Sequence, residues 1–137
     1  MSSLITVYIT NYNYGHFIEE AINSVLAQQN VRFELLIIDD GSTDGSKEII
    51  EKYRSLEAVT IIYQKNKGLN VTNNVALQLA HGNYIMRLDA DDYLEPEALY
   101  KLSKKLDDNT KIGLVFPDYY IVDSVGQILE HHKRHDF

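Results

Sequence analysis

The sequence contains no cysteine. Disulfides, thiolate nucleophiles and zinc–thiolate sites are therefore excluded, and the lack fits a reducing compartment. No segment approaches the ~20 apolar residues that a membrane span requires, and the first residues carry no basic region of signal-peptide type. Basic residues are outnumbered, 13 Lys and Arg against 20 Asp and Glu, for a formal net charge of -7. General nucleic-acid binding needs a basic face and is excluded on that ground. Disorder of the whole chain does not fit either, because 45% of the residues are hydrophobic and 24% charged, close to the globular average. A chain of 137 residues reads as one domain that buries roughly two-thirds of its unfolded surface.

What is present is more specific. The apolar run Ile85-Met86-Arg87-Leu88 ends in Asp89-Ala90-Asp91-Asp92, and the earlier run Leu35-Leu36-Ile37-Ile38 ends in Asp39-Asp40-Gly41-Ser42. Two buried-type strands that release acidic loops at their carboxyl ends imply one crevice lined with oxygen ligands, where open α/β sheets place their ligands.

The pattern alternates strand and helix. Strands are expected at Leu4 to Thr10, Phe33 to Ile38, Val59 to Tyr63, Tyr84 to Leu88 and Ile112 to Phe116. Helices are expected through Phe17–Gln28, through Ile49, Ile50 and Tyr53, from Val71 to about Ala80, and from Pro96 through Leu106. Asp118–Val122 and Gln127–His131 read as a hairpin, whose strands are expected to add antiparallel members to the sheet. Repeated βαβ units imply a mostly parallel sheet with helices on both faces and right-handed crossovers.

Strand alternation directs Asp89 and Asp91 the same way, so their carboxylates can converge on one site. Hard oxygen donors of this kind suit Mg²⁺ or Mn²⁺. The same alternation puts Arg87 on the face of Asp89, where it can pair with that acid or reach a phosphate. Asp39 and Asp40 stand at a strand tip where a carboxylate can accept from a ribose hydroxyl or a base N–H. They can equally form a turn, with Asp44 or Ser46 capping the next helix. Thr10 offers a hydroxyl and Tyr12 a ring face at the end of the first strand. The Gly41–Ser46 loop lacks the Gly-Lys-Ser/Thr ending of a phosphate loop. His16 and His81 read as helix-end residues, and His131 to His135 as a solvated tail.

The segments Val7–Asn13, Glu19–Gln28, Phe33–Ser46, Gly68-Leu69 and Gly82–Asp92, in this order and spacing, resemble the family 2 inverting glycosyltransferases. The resemblance covers roughly residues 4–106. It implies a GT-A (Rossmann-like) three-layer fold that binds a nucleoside-diphosphate sugar, with Mn²⁺ or Mg²⁺ bridging the diphosphate. By resemblance Thr10, Tyr12 and Asp40 would hold the nucleobase, Asp89 would sit by ribose and metal, and Asp91 would ligate the metal. The acceptor would be a glycan or a lipid-linked molecule, and the setting cytoplasmic or peripheral at the inner face of a membrane.

Two features depart from the family pattern. Asn73-Asn74 stand where an Arg-Asn pair is frequent, which leaves Lys65, Lys67 or Arg87 as the cations for that role. The chain is also shorter than family domains, so the expectation is the nucleotide-binding part of a longer enzyme. No general base is assigned; Asp118 and Asp123 are candidates without a motif behind them. A binding module without catalysis, a nucleotidyltransferase and a phosphoacceptor receiver domain are the alternatives. The nucleotidyltransferase lacks its glycine-rich basic loop at Asn11–Gly15, and the receiver lacks a Lys closing a late strand.

Overall fold

The computed structural model describes residues 3–133. The elements run β1 (Leu4–Asn11), α1 (Ile18–Leu26), β2 (Arg32–Asp39), α2 (Ser46–Glu51), β3 (Val59–Tyr63), α3 (Leu69–Leu79), β4 (Tyr84–Asp89), α4 (Ala98–Asp108), β5 (Tyr119–Val122) and β6 (Ile128–His132). The first four strands pair in parallel in the order β3-β2-β1-β4.

Alternation along the strands divides the core between two faces. Ile5, Val7 and Ile9 of β1 and Leu35 and Ile37 of β2 pack with Ile18, Ala21, Ile22 and Val25 of α1, Ile50 of α2 and Leu99 of α4. Those four α1 residues recur at helical spacing and are fully buried, which is why this segment is an amphipathic helix. On the opposite face Tyr8, Leu36 and Ile38 meet Ala76 and Val75 of α3.

Connection handedness explains this split. The chain steps outward from β1 to β2 to β3 with α1 and α2 on one face. It then crosses back to reach β4 on the far side of β1. A right-handed crossover taken in the opposite direction must lie on the opposite face, where α3 is found.

Several expectations need correction. Residues 112–116 form no strand; Leu114 is 76% exposed, and the segment runs beside β4 and α4 without a ladder. Its apolar alternation mimics a half-buried strand, but Pro117, which has no N–H to donate, follows at once. The hairpin does form, yet β5 and β6 make a separate antiparallel sheet, so the main sheet stays wholly parallel among the described residues. Neither hairpin strand alternates cleanly between buried and exposed positions, so neither offers a face to the core. Helix α2 ends at Glu51; the chain continues to Tyr53 in tighter turns, with Lys52 N–H donating to Ile49 O and Tyr53 N–H to Ile50 O. His131 and His132 belong to β6, where their rings stack on Tyr120 and Tyr119, while Arg134 and His135 lie outside the described residues.

Ile37 is fully buried at the centre of the sheet. Ile37→Ala is expected to lower the unfolding free energy by about 2–5 kcal/mol, read from the urea midpoint. Leu77→Ala, at a position 59% exposed, is expected to stay within about 0.5 kcal/mol.

Candidate functional site

Strand order reverses at β1, the kind of position at which open α/β sheets form a ligand crevice at the carboxyl ends of their strands. Thr10 pairs in register with Asp89 and with Ile38, so the acidic end of β4 adjoins the end of β1. Thr10 is half-buried and Tyr12, just past the strand, is exposed.

The two acids after β2 have separate fates. Asp39 lies on the face of Ile37 and is buried. It accepts Asn11 Nδ2 at 2.8 Å, Ser42 Oγ at 2.6 Å and Ser42 N at 3.0 Å. Asn13, in the left-handed region at φ 59°, adds a second tie, its Oδ1 accepting Thr43 N at 2.7 Å and Asp44 N at 3.2 Å. Asp44 Oδ2 in turn accepts Gly15 N at 2.9 Å, while its Oδ1 accepts the backbone N–H and hydroxyl of Ser46 at the start of α2. The loops after β1 and β2 are thereby one hydrogen-bonded unit. Asn11, Asn13 and Ser42 were not singled out from the sequence; Asn residues beside a loop rich in Asp and Ser were the available signal.

Asp40 lies on the opposite face, with α3. Its Oδ1 accepts Lys67 N at 2.8 Å and Gln64 Nε2 at 2.9 Å, and its Oδ2 accepts Gly68 N at 3.0 Å. The carboxylate thus sits against the N-terminus of α3, where backbone N–H groups and the helix dipole favour an anion. Burial alone would raise its pKa. The Lys67 N–H, the Gln64 amide, the Gly68 N–H and the Lys67 charge outweigh burial and hold the carboxyl below its usual range. Gly41, at φ 83°, lets this loop close, since a Cβ there would come within 2.9 Å of Asn66 N. Three of about four lone-pair sites are engaged, and the fourth has no protein donor among the described residues.

At the end of β4, Asp89, Asp91 and Asp92 each present a carboxylate oxygen, all three within 4.8 Å of one another. Ala90 between them is buried in the core and anchors the loop, and Asp92 N–H donates to Asp89 O at 3.0 Å. Desolvation, then the charges of Asp91 and Asp89, push the Asp92 carboxyl above its usual range. Arg87 Nε lies 3.2 Å from Asp89 Oδ1, the pairing expected from strand alternation. A set of clustered hard oxygen donors fits Mg²⁺ or Mn²⁺, with Asp92 as a third carboxylate beside the expected Asp89 and Asp91. Further along the same loop, Leu94 N–H donates to Ser24 Oγ, and Gln28 binds Glu95 O and Leu99 N, which fastens it to α1.

The candidate bases and histidines lie elsewhere. Asp123 Oδ1 accepts Val125 N and Gln127 N and shapes the β5–β6 turn, and Asp118 faces His131 at 3.9 Å. His81 follows α3 and binds Glu34 through its N–H and Nδ1.

The sequence profile of Glycosyl transferase family 2 matches residues 6–135. Chondroitin synthase of Escherichia coli is 35% identical over 127 residues, which is 92% of this chain and 18% of that protein. Hyaluronan synthase of Pasteurella multocida is also 35% identical over 127 residues, 92% of this chain and 13% of that protein. The chain therefore spans less than a fifth of the length of these relatives. Among solved structures, the Pyrobaculum calidifontis mannosyltransferase PcManGT in complex with GDP-Man and Mn²⁺ superposes with a TM-score of 0.73 at 26% identity, covering 80% of this chain and 34% of that one. S. aureus TarS in complex with UDP-GlcNAc gives a TM-score of 0.70 at 31% identity, covering 79% of this chain and 32% of that one. A parallel sheet reversed at β1, acidic loops at its carboxyl edge and a profile match over nearly the whole chain agree: the chain has the GT-A fold and belongs to glycosyl transferase family 2.

Proposed function

We propose that this chain binds the donor of an inverting glycosyltransferase, which passes the sugar of a nucleoside-diphosphate sugar to an acceptor hydroxyl with the help of Mn²⁺ or Mg²⁺. The observation that carries this reading is the convergence of Asp89, Asp91 and Asp92 beside the end of β1, at the sheet edge that also bears Thr10, Tyr12 and Asp40. Complexes of similar proteins with GDP-Man and Mn²⁺, and with UDP-GlcNAc, support the donor class. Relatives named chondroitin and hyaluronan synthase support a role in polysaccharide synthesis, and the acceptor we assign is a glycan or lipid-linked molecule. We place the reaction in the cytoplasm or at the inner membrane periphery, where nucleotide sugars are supplied.

In this reading the exposed Tyr12 ring lies against the nucleobase, Thr10 donates its hydroxyl, and the open lone pair of Asp40 accepts a base N–H. Asp91 and Asp89 would hold the divalent ion, with Asp92 beside them. Once bound, the ion neutralises charge developing on the departing nucleoside diphosphate. Inversion by direct displacement also needs a base for the acceptor proton. Asp123 is committed to its turn and Asp118 to His131, so neither is given that role.

Calorimetric titration with UDP, GDP and dTDP tests the reading. One nucleotide is expected to bind with Mn²⁺ and to lose at least tenfold in affinity with excess chelator or in Asp91→Ala. Equal affinity under all these conditions would remove the metal from the proposal.

Asp40 also yields a stability prediction. Its folded pKa lies below the unfolded value of about 3.9. Its contribution is therefore fully present above that value and lost as pH falls through the folded pKa. Asp40→Asn is expected to cost about 1–3 kcal/mol at pH 7. By urea unfolding, the gap from wild type should narrow below about pH 4; a gap independent of pH would show that charge is not what closes the loop.

A further inference from the structure

The donor reading leaves open which cation of this chain meets the diphosphate. Helix α3 carries Asn73 and Asn74 at its middle, and Asn73 Oδ1 is taken by the Tyr8 hydroxyl at 2.9 Å. Lys65 and Lys67 lie on the loop after β3, and β3 is separated from β4 by β2 and β1. Three strand spacings amount to about 14 Å. Lys67, moreover, is held on the β2 side by its backbone bond to Asp40.

The geometry points to Arg87 as the residue that binds the donor diphosphate, an assignment that rests on the donor reading above. Arg87 lies in register with Tyr8, two residues before Asp89 and on the same face as Asp89 and Thr10. Its side chain is 39% exposed, with Nε 3.2 Å from Asp89 Oδ1. No other ion pair reaches Asp89, Asp91 or Asp92 among the described residues. That single contact leaves the two terminal amino groups of the guanidinium without a protein acceptor among the described residues. A guanidinium offers five N–H donors in a planar fork suited to two phosphate oxygens at once. A phosphate that shared a cation with Asp89 would stand within one ligand shell of that carboxylate. The phosphate is thereby brought next to the carboxylate that Arg87 already touches. Asp89 holds the fork at the crevice, and the fork's open edge takes the phosphate.

Calorimetry on wild type, Arg87→Met and Arg87→Lys tests this with Mn²⁺ alone and, in the presence of Mn²⁺, with UDP, GDP and inorganic pyrophosphate. Arg87→Met is expected to lose at least tenfold in affinity for pyrophosphate and for the nucleotide that wild type binds, with affinity for Mn²⁺ alone within about twofold. Arg87→Lys, which keeps the charge without the fork, is expected to recover part of the loss and serves as the test if the Met variant does not fold. An equal loss for Mn²⁺ alone would make Arg87 only a positioning residue for Asp89 and overturn the assignment. Unchanged diphosphate affinity in both variants would overturn it while leaving the donor reading in place. A wild-type chain that binds no diphosphate at all would remove the donor reading and this assignment with it.

Discussion

The handedness of the crossovers is the constraint on which the remaining structure depends. With β1 central and the chain returning over it to β4, α3 must lie on the face opposite α1 and α2. That return sets β4 beside β1 at the switch point where open α/β sheets place a ligand crevice. It also brings the start of α3 to the carboxyl end of β2, where Asp40 meets it. A chain that continued outward from β3 would put its fourth strand away from β1, and Thr10 would have no Asp89 beside it.

Strand alternation does at residue scale what handedness does at fold scale. Asp39 and Asp40 are neighbours in sequence, yet one is turned into the lock joining the first two loops and the other toward α3. Ala90 divides the next acidic cluster in the same way, since its methyl group is buried while Asp89 and Asp91 emerge around it. A small apolar residue at that position anchors the acidic loop and a large one would lift it from the core.

Legibility of the sequence followed the range of the interactions. Contacts between residues two apart on a strand, such as Arg87 with Asp89, were readable because the period of a strand fixes them. Strands β1 and β2 were readable because their apolar runs are buried on both faces. The closure of α3 by Asp40 was not, since its partners lie 27 and 28 residues away and only the folded sheet brings them together. Asn11 and Asn13 are illegible for a related reason: each is an ordinary turn residue until the loop after β2 is placed beside it. Residues 112–116 were misread because alternation marks a strand only when a neighbour pairs with it.

Charge separates the carboxylates that serve the fold from those left for a ligand. Asp39, Asp40 and Asp44 are each surrounded by N–H and O–H donors, so their charge is already answered within the chain. Asp89 is answered by one guanidinium nitrogen, and Asp91 and Asp92 by no ion pair among the described residues. Desolvation, with the like charges of Asp91 and Asp89 added to it, pushes the Asp92 carboxyl above its usual range. Folding thus neutralises its own acids at the end of β2 and concentrates unanswered negative charge at the end of β4. In the donor reading we propose, an asymmetry of this kind suits a divalent cation on the β4 side of the crevice and a neutral, hydrogen-bonding base on the β2 side. On the proposed reading, the diphosphate that joins base to sugar would lie between them, with Arg87 at its β4 end.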